Sequence, residues 1–268
     1  MKFLAAAIQM LASSDKEANL KEAEANVRQA AAKKAKLVAL PEVFNWRGGK
    51  EEERTFAEKI PGPSSTLMGR LAEELEIFLL AGSLLEEIPG SEKAYNTSLF
   101  FGPNGKLLAR YRKIHLFDVQ IEGGVSTMES ETRAGGGEVV VAETELCPMG
   151  LTICYDLRFP ELFRALVAKG AQLIFVPSAF TALTGEAHWE PLLRARAIEN
   201  QVYIVAPNQM GHNPKSFATY GNSMIVDPWG RILARAPDTS AVILAEIDLA
   251  YLAKVRKELP ALTHRKLP

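Results

Sequence analysis

The stretch Gly150-Leu151-Thr152-Ile153-Cys154-Tyr155-Asp156-Leu157-Arg158-Phe159-Pro160 passes directly from an apolar strand to the start of a helix. Residues 150–153 have strand character, and Pro160 suits the first turn of a helix that runs to Lys169 and stops at Gly170. The same alternation of strands and helices continues in both directions without a low-complexity linker. It predicts a single α/β domain over residues 1–268.

Periodicity and turn residues predict the remaining elements. The predicted strands are 3–8, 37–40, 77–85, 97–101, 106–111, 139–142, 173–176, 202–206, 223–226, 231–234 and 242–247. The other predicted helices are one opened by a capping box at Ser14-Asp15-Lys16-Glu17, one after Pro61-Gly62-Pro63, one at 186–200 and one ending before Pro260. Some strands are apolar throughout and others are mixed, which predicts a mixed sheet or two stacked sheets with outer helices.

Residues 118–137 have no regular period and carry two glycine clusters, Gly123-Gly124 and Gly135-Gly136-Gly137. Loops of this length inside a compact domain are usually functional or disordered.

Composition excludes several classes of protein. The formal net charge is −1, with 31 Lys+Arg against 32 Asp+Glu, so neither nucleic acid nor an anionic membrane is an expected partner. The two cysteines, Cys147 and Cys154, have no metal-ligand spacing, which argues against a disulfide framework or a metal site and favours a cytoplasmic location. The N-terminus resembles a signal peptide, but Gln9 interrupts its apolar run, and we interpret it as the first strand.

Three reactive residue types each follow a predicted strand: Glu42, Lys113 and Cys154. Ligands of open α/β sheets bind at the carboxyl ends of strands, so these side chains are expected to share one pocket. Together they suffice to hydrolyse a carboxamide. Cys154 attacks the carbonyl carbon, Glu42 moves the proton from thiol to leaving ammonia, and Lys113 balances the oxyanion.

Each residue also has a simpler interpretation. A lone cysteine after an apolar run is often an inert buried side chain, Glu42 alone is typical of a solvated loop, and Lys113 fits an exposed, charged strand edge. A Cys-His hydrolase with His115 or His188 as base is the nearest competing enzyme class. A catalytically silent dimeric scaffold is the alternative outside enzymes.

Three segments resemble the signature segments of the nitrilase superfamily, the carbon–nitrogen hydrolases. They are Leu40-Pro41-Glu42, Tyr111-Arg112-Lys113-Ile114-His115-Leu116-Phe117-Asp118 and Ile153-Cys154-Tyr155-Asp156-Leu157-Arg158-Phe159-Pro160-Glu161. The resemblance covers essentially the whole chain. It implies an αββα four-layer sandwich with two stacked mixed sheets and outer helices, a homodimer and no cofactor. It also implies catalytic roles for Glu42, Lys113 and Cys154, and for Glu129 within Met128-Glu129-Ser130 as the residue that orients Lys113 and the amide.

The resemblance also narrows the substrate to a small amide. True nitrilases carry Trp-Glu after the cysteine, whereas this chain has Tyr155-Asp156, which disfavours nitriles. Two segments, 194–199 and 227–230, resemble deaminated-glutathione amidase, which makes deaminated glutathione the preferred substrate. Residues 113–118 look equally like ω-amidase, which acts on 2-oxo acid amides, and N-carbamoyl amides are a further alternative.

Tyr155, Arg158 and His188 are candidates for substrate binding. The guanidinium of Arg158 has the planar fork that matches a carboxylate, although an ion pair at the helix start explains it equally well. His188 fits either a wall of the site or packing at a helix end.

Overall fold

A computed structural model describes residues 1–122 and 125–267. The strands are β1 (Lys2–Gln9), β2 (Leu37–Ala39), β3 (Phe78–Leu80), β4 (Leu84–Glu87), β5 (Ala94–Phe101), β6 (Leu107–Arg112), β7 (Asp118–Gln120), β8 (Ser126–Met128), β9 (Arg133–Ala134), β10 (Val141–Ala142), β11 (Met149–Leu151), β12 (Leu173–Phe175), β13 (Tyr203–Ala206), β14 (Met210–Gly211), β15 (Thr219–Tyr220), β16 (Met224–Val226), β17 (Ile232–Arg235) and β18 (Ala241–Asp248). The helices are α1 (Lys16–Ala32), α2 (Glu53–Phe56), α3 (Pro63–Glu74), α4 (Pro160–Ala168), α5 (Ala182–Asn200), α6 (Leu249–Glu258) and α7 (Ala261–His264). Short 3-10 helices cover Lys50–Glu52, Glu129–Glu131 and Cys154–Arg158.

Two mixed sheets form the centre of the molecule. The first has the order β18-β1-β2-β3-β5-β4, with β6 and β9 also paired to β5. The second has the order β10-β11-β12-β13-β16-β17. The strands β1, β2 and β3 are parallel to one another, as are β11, β12 and β13, and antiparallel strands extend each sheet. The two β/α halves therefore resemble each other, as the alternation of elements predicts.

The alternation of side chains along β1 shows how the layers pack. Phe3, Ala5 and Ala7 face the second sheet and share one hydrophobic core with its strands. Ala6 and Ile8 point the other way, into a core formed with α1 and α3. Because successive side chains of a strand alternate between faces, this strand is buried on both sides. With α4 and α5 packed in the core of the second sheet, the result is the predicted αββα sandwich.

Local details differ from the sequence predictions in three places. The N-cap of α1 is Asp15, whose side chain accepts from the N–H of Ala18 at 3.0 Å, so the capping box opened at Ser14 is wrong by one residue. The single strand predicted at 77–85 is broken into β3 and β4 around Gly82, which has φ +39°. The helix α5 begins at Ala182 rather than at 186, because Thr181 caps it.

The long segment 118–137 is largely ordered by short elements. The antiparallel pair β7–β8, a 3-10 helix and β9 occupy it. Gly123 and Gly124, the first glycine cluster of that prediction, lie outside the described residues.

Candidate active site

Four residues singled out from the sequence line one cavity of about 530 Å³: Glu42, Lys113, Glu129 and Cys154. Glu42 and Cys154 lie in the connections that follow β2 and β11, and Lys113 directly follows β6. Glu129 begins the 3-10 helix after β8. The ends of strands from both sheets therefore bring these side chains together.

Lys113 lies between two carboxylates. Its Nζ is 3.1 Å from Oε1 of Glu42 and 2.9 Å from Oε2 of Glu129, and only 2% of the residue is exposed. Burial on its own lowers the pKa of Lys113, but the charges of Glu129 and Glu42 outweigh burial and raise that pKa above its usual value. Lys113 is therefore an ammonium at neutral pH.

Glu42 is held by donors on both carboxylate oxygens. Oε1 accepts from the side-chain amide of Asn96 at 2.8 Å, and Oε2 accepts from the backbone N–H of Ala179 at 2.8 Å. The backbone carbonyl of Glu42 accepts from the side chain of Gln209 at 2.9 Å. These contacts fix the carboxylate in one orientation beside Lys113, as a group that shuttles protons requires.

Glu129 is the most heavily hydrogen-bonded of the four. Besides Lys113, it accepts from the backbone N–H of Phe117 at 2.6 Å and from Nη1 of Arg133 at 2.7 Å. Arg133 also pairs with Glu53 at 2.6 Å. Burial raises the pKa of Glu129, but Lys113 and Arg133 more than offset burial and hold it below its usual value. Glu129 is therefore ionised and anchors Lys113.

Cys154 has a strained backbone at the turn between β11 and α4. Its φ is +48°, a region that L-residues other than glycine enter at a cost of about 1–3 kcal/mol. Its N–H donates to the carbonyl of Pro177 at 3.0 Å. Burial and the charge of Glu42 raise the pKa of the Cys154 thiol well above its usual value, although Lys113 opposes them. The resting side chain is a thiol that needs a base, and the carboxylate of Glu42 lines the same cavity.

Asp156 ties the cysteine turn to the lysine strand. Fully buried, it accepts from the hydroxyl of Tyr111 at 2.7 Å and from the backbone N–H groups of Ile153 at 2.8 Å and His115 at 3.1 Å. Its other contact is the ring Nδ1 of His115 at 2.7 Å. Tyr111 lies two residues before Lys113, and Asp156 lies two residues after Cys154. This carboxylate therefore fixes the distance between the two reactive side chains.

Two of the three predicted substrate-binding residues line the cavity. The ring of Tyr155 meets Phe117 edge to face at 5.0 Å, and the guanidinium of Arg158 lies 5.3 Å from the ring of Phe180. His188 is exposed and is not among the described residues that line the cavity. It contacts Arg158, with 3.3 Å between Nδ1 and Nη1.

The sequence reasoning missed several residues of the site. Each of them lines the cavity or contacts one of its carboxylates: Trp46, Arg47, Glu53, Asn96, Arg133 and Phe217. Arg133 follows Glu129 by four positions, a spacing that signals an ion pair and was available in the sequence. Asn96 gives no such signal, since it is one of three consecutive polar residues inside β5.

The cavity carries an excess of positive charge. Among the described residues, six cationic side chains line it against three carboxylates; the cations are Arg47, Lys50, Lys113, Arg133, Arg158 and Lys215, and the carboxylates are Glu42, Glu53 and Glu129. Clefts lined by one sign of charge concentrate ligands of the opposite sign. The site is therefore suited to an anionic ligand.

Comparison with known proteins gives a consistent result. The family model described as carbon-nitrogen hydrolase matches residues 4–257. Omega-amidase NIT2 of Xenopus tropicalis is 44% identical over 265 residues, which cover 99% of this chain and 95% of that protein. Among solved structures, the C. elegans NitFhit protein has a TM-score of 0.93 at 40% identity; the match covers 99% of this chain but 65% of that longer one. Saccharomyces cerevisiae Nit3, a member of branch 10 of the nitrilase superfamily, has a TM-score of 0.90 at 36% identity and covers 99% and 97% of the two chains.

Within residues 1–122 and 125–267, the helices are all too short or too polar to span a bilayer.

Proposed function

Because the chain belongs to the carbon–nitrogen hydrolase family and is a hydrolase that acts on amides, we propose that it cleaves the carboxamide of a small carboxylate-bearing amide through a thioester on Cys154. The observation that carries this proposal is the buried Glu42–Lys113–Glu129 cluster beside the Cys154 thiol, inside a cavity of net positive charge. The same observation argues against a catalytically silent scaffold, because buried charges are costly to keep without a use.

In the first half-reaction, the sulfur of Cys154 attacks the amide carbon as its proton moves to Glu42. The raised pKa of the thiol makes this transfer necessary, and Glu42, whose charge acts on Cys154 in the same cavity, is the base that accepts the proton. A C–S bond forms, and the carbonyl electrons move onto oxygen. The ammonium of Lys113 has three N–H donors, and two suffice for its carboxylate partners. The third stabilises the oxyanion.

Collapse of the tetrahedral intermediate breaks the C–N bond, and Glu42 returns the proton to the departing ammonia. In the second half-reaction, Glu42 takes a proton from water, the hydroxide adds to the thioester, and the C–S bond breaks. The thiol recovers its proton, so the net change is amide plus water to carboxylate plus ammonia. Glu129 acts as a positioning residue, since it holds Lys113 through two charge-assisted contacts.

The substrate proposed first is a 2-oxo acid ω-amide, because the relative at 44% identity is an omega-amidase. Arg158 receives its carboxylate, with Tyr155 as a wall of the site. Deaminated glutathione, preferred from the sequence alone, remains the second candidate. The size of the cavity, about 530 Å³, favours it, since pockets of this size hold molecules considerably larger than a five-carbon amide.

Product release from four classes of compound tests this proposal: ammonia from ω-amides of 2-oxo acids, N-carbamoyl amino acids and nitriles, and the dipeptide cysteinylglycine from deaminated glutathione. We expect turnover of the first class, abolished in Cys154→Ala and reduced at least about a hundredfold in Glu42→Gln. Cys147→Ala is the matched control, because Cys147 is also buried and free but does not line the cavity. Full turnover by Cys154→Ala, or no turnover of any amide by the folded wild type, refutes the proposal.

The assembly is proposed to be a homodimer of single domains covering residues 1–268. A cytoplasmic location, the absence of a cofactor or metal, and the absence of nucleic-acid or membrane partners stay predictions. Sedimentation of the purified chain tests the dimer, and a sedimenting monomer contradicts it.

A further inference from the structure

Arg47 lines the cavity from the loop after β2, five residues beyond Glu42, and is 5% exposed. Its Nη2 donates to the hydroxyl of Ser216 at 3.0 Å and to the carbonyl of Phe217 at 3.3 Å. The guanidinium also lies 5.2 Å from the centre of the Phe217 ring. Its Nη1 is buried and has no hydrogen-bond partner in the described part of the chain.

The other positive charges of the cavity differ from Arg47 in their partners. Four of them each form an ion pair: Lys50, Lys113, Arg133 and Lys215. For Arg47 and Arg158, no carboxylate of residues 1–122 or 125–267 lies within 4.0 Å. Removing a guanidinium from water without an anion in direct contact is costly, although the charge of Glu42 acts on Arg47 from a greater distance. Burial lowers the pKa of Arg47 to about 10, which still leaves it charged at neutral pH.

Trp46 adds a second donor of the same kind. Its indole Nε1 is buried without a partner among the described residues, and the side chain lines the same cavity. Stacking on Phe56, at 4.4 Å between ring centres, holds the indole in place. Buried donors almost always have acceptors in folded proteins. Two consecutive residues with unused donors in a ligand cavity therefore point to an oxygen-rich anion as the missing partner.

We propose that Arg47, with Trp46 beside it, is a second anion-binding point, so that the enzyme takes amides that carry two carboxylates. One carboxylate binds Arg158 and the other binds Arg47. The inference rests on the proposed function, which assigns the first carboxylate to Arg158. The second carboxylate belongs either to the acyl part or to the leaving amine. In the second case the product is an amino acid instead of ammonia, and the reaction is otherwise unchanged.

Three amides separate these cases. Glutaramate has one carboxylate, N-glutarylglycine has a second carboxylate on the leaving amine, and the monoamide of propane-1,2,3-tricarboxylate has a second carboxylate on the acyl part. Binding is measured by calorimetry in the Cys154→Ala background, which separates affinity from turnover. We expect Arg47→Met to lower the affinity for at least one of the two doubly charged amides by about tenfold or more. The affinity for glutaramate should change by less than about threefold.

Lys215→Met is the matched control, because it also removes a positive charge from the cavity lining, but one already paired with Glu52 at 2.9 Å. Its effect on all three amides should stay below about threefold. Arg47→Gln, which keeps a donor for Ser216, is measured beside Arg47→Met so that loss of the loop contact alone is recognised.

The outcomes separate this inference from the proposed function. If Arg47→Met lowers the affinity for all three amides equally, Arg47 only holds the loop at Ser216, and the inference is overturned. Unchanged affinities, or no binding of any of the three amides, overturn it as well. If the charge-selective binding is found but the intact enzyme hydrolyses none of the three, the anion-binding point stands and the catalytic assignment fails.

Discussion

Replacing Glu129 by glutamine keeps the shape of the side chain and removes one buried charge. That charge lies 2.9 Å from Nζ of Lys113 and 2.7 Å from Nη1 of Arg133. In the variant, Glu42 is left as the carboxylate on Lys113 among the described residues, at 3.1 Å. The ammonium of Lys113 then stabilises the ionised carboxylate of Glu42 more strongly, so Glu42 becomes a weaker base for Cys154. We expect kcat to fall by about 10²–10³-fold, the loss typical of one electrostatic contact in a transition state.

The same substitution has a stability cost that depends on pH. Removing one partner of a buried ion pair costs about 3–5 kcal/mol. Because the pKa of Glu129 is lower in the folded than in the unfolded protein, its stabilisation is present above the unfolded value of about 4.5. It is lost as the pH falls from there through the lower folded pKa. The free energy of unfolding of the wild type, measured by urea denaturation, should therefore decrease below about pH 4.5. In Glu129→Gln the same free energy should depend less on pH over that range.

Glu53→Gln is the control that separates the two effects. Glu53 pairs with Arg133 at 2.6 Å and accepts from Thr132 at 2.7 Å, but has no contact with Lys113. This variant should lose comparable stability and keep kcat within about tenfold of the wild type. A folded Glu129→Gln protein with wild-type kcat/KM refutes the role given to Glu129. So does an equal loss of kcat in both variants.

Three further predictions concern the nucleophile and its supports. Because the pKa of the Cys154 thiol is raised, the rate of its alkylation by iodoacetamide should keep rising beyond pH 9. Mass spectrometry measures this rate, and a plateau below pH 9 contradicts the assignment. Tyr111→Phe removes the 2.7 Å hydrogen bond to Asp156 and should lower the free energy of unfolding by about 1–3 kcal/mol, measured by urea denaturation; an unchanged midpoint is the opposite result. Gly82→Ala places a Cβ 1.9 Å from the carbonyl oxygen of Pro41, so it should lower both the melting temperature and ammonia release, and retention of both is incompatible with this packing.

The sequence was sufficient to predict the fold where the structural signal is local. Apolar runs and helix caps recur along the chain, and they predict which segments are strands and which are helices, whereas the αββα arrangement was predicted from the resemblance. The same local order puts Glu42, Lys113 and Cys154 at the ends of strands, where they meet. The break at Gly82 was missed because it depends on a positive φ at one residue of an otherwise continuous apolar run.

The rest of the site depends on contacts between distant parts of the chain. Arg47 meets Ser216, 169 residues away, and Asn96 reaches Glu42 across 54 residues. No period or spacing in the sequence encodes such pairs. Glu129 is intermediate: the resemblance gave its position and its contact with Lys113, and its spacing to Arg133 was available in the sequence, whereas its contact with the backbone N–H of Phe117 becomes apparent only once the loop is folded.

In the proposed mechanism, the charges around Cys154 keep the thiol protonated at rest until Glu42 removes its proton for attack on an amide. Burial and Glu42 favour the neutral thiol, while Lys113 favours the thiolate, and the first two dominate. A freely exposed thiolate would react with any electrophile, because the thiolate is the nucleophilic form. In the proposed mechanism the proton leaves toward Glu42, whose orientation is fixed by Asn96 and Ala179. The positive cavity adds a second condition, since it concentrates anionic amides beside the thiol. The proposed mechanism therefore makes selectivity depend on two requirements, proton transfer at Glu42 and charge at the cavity wall; substitution of Glu129 tests the first, and substitution of Arg47 tests the second.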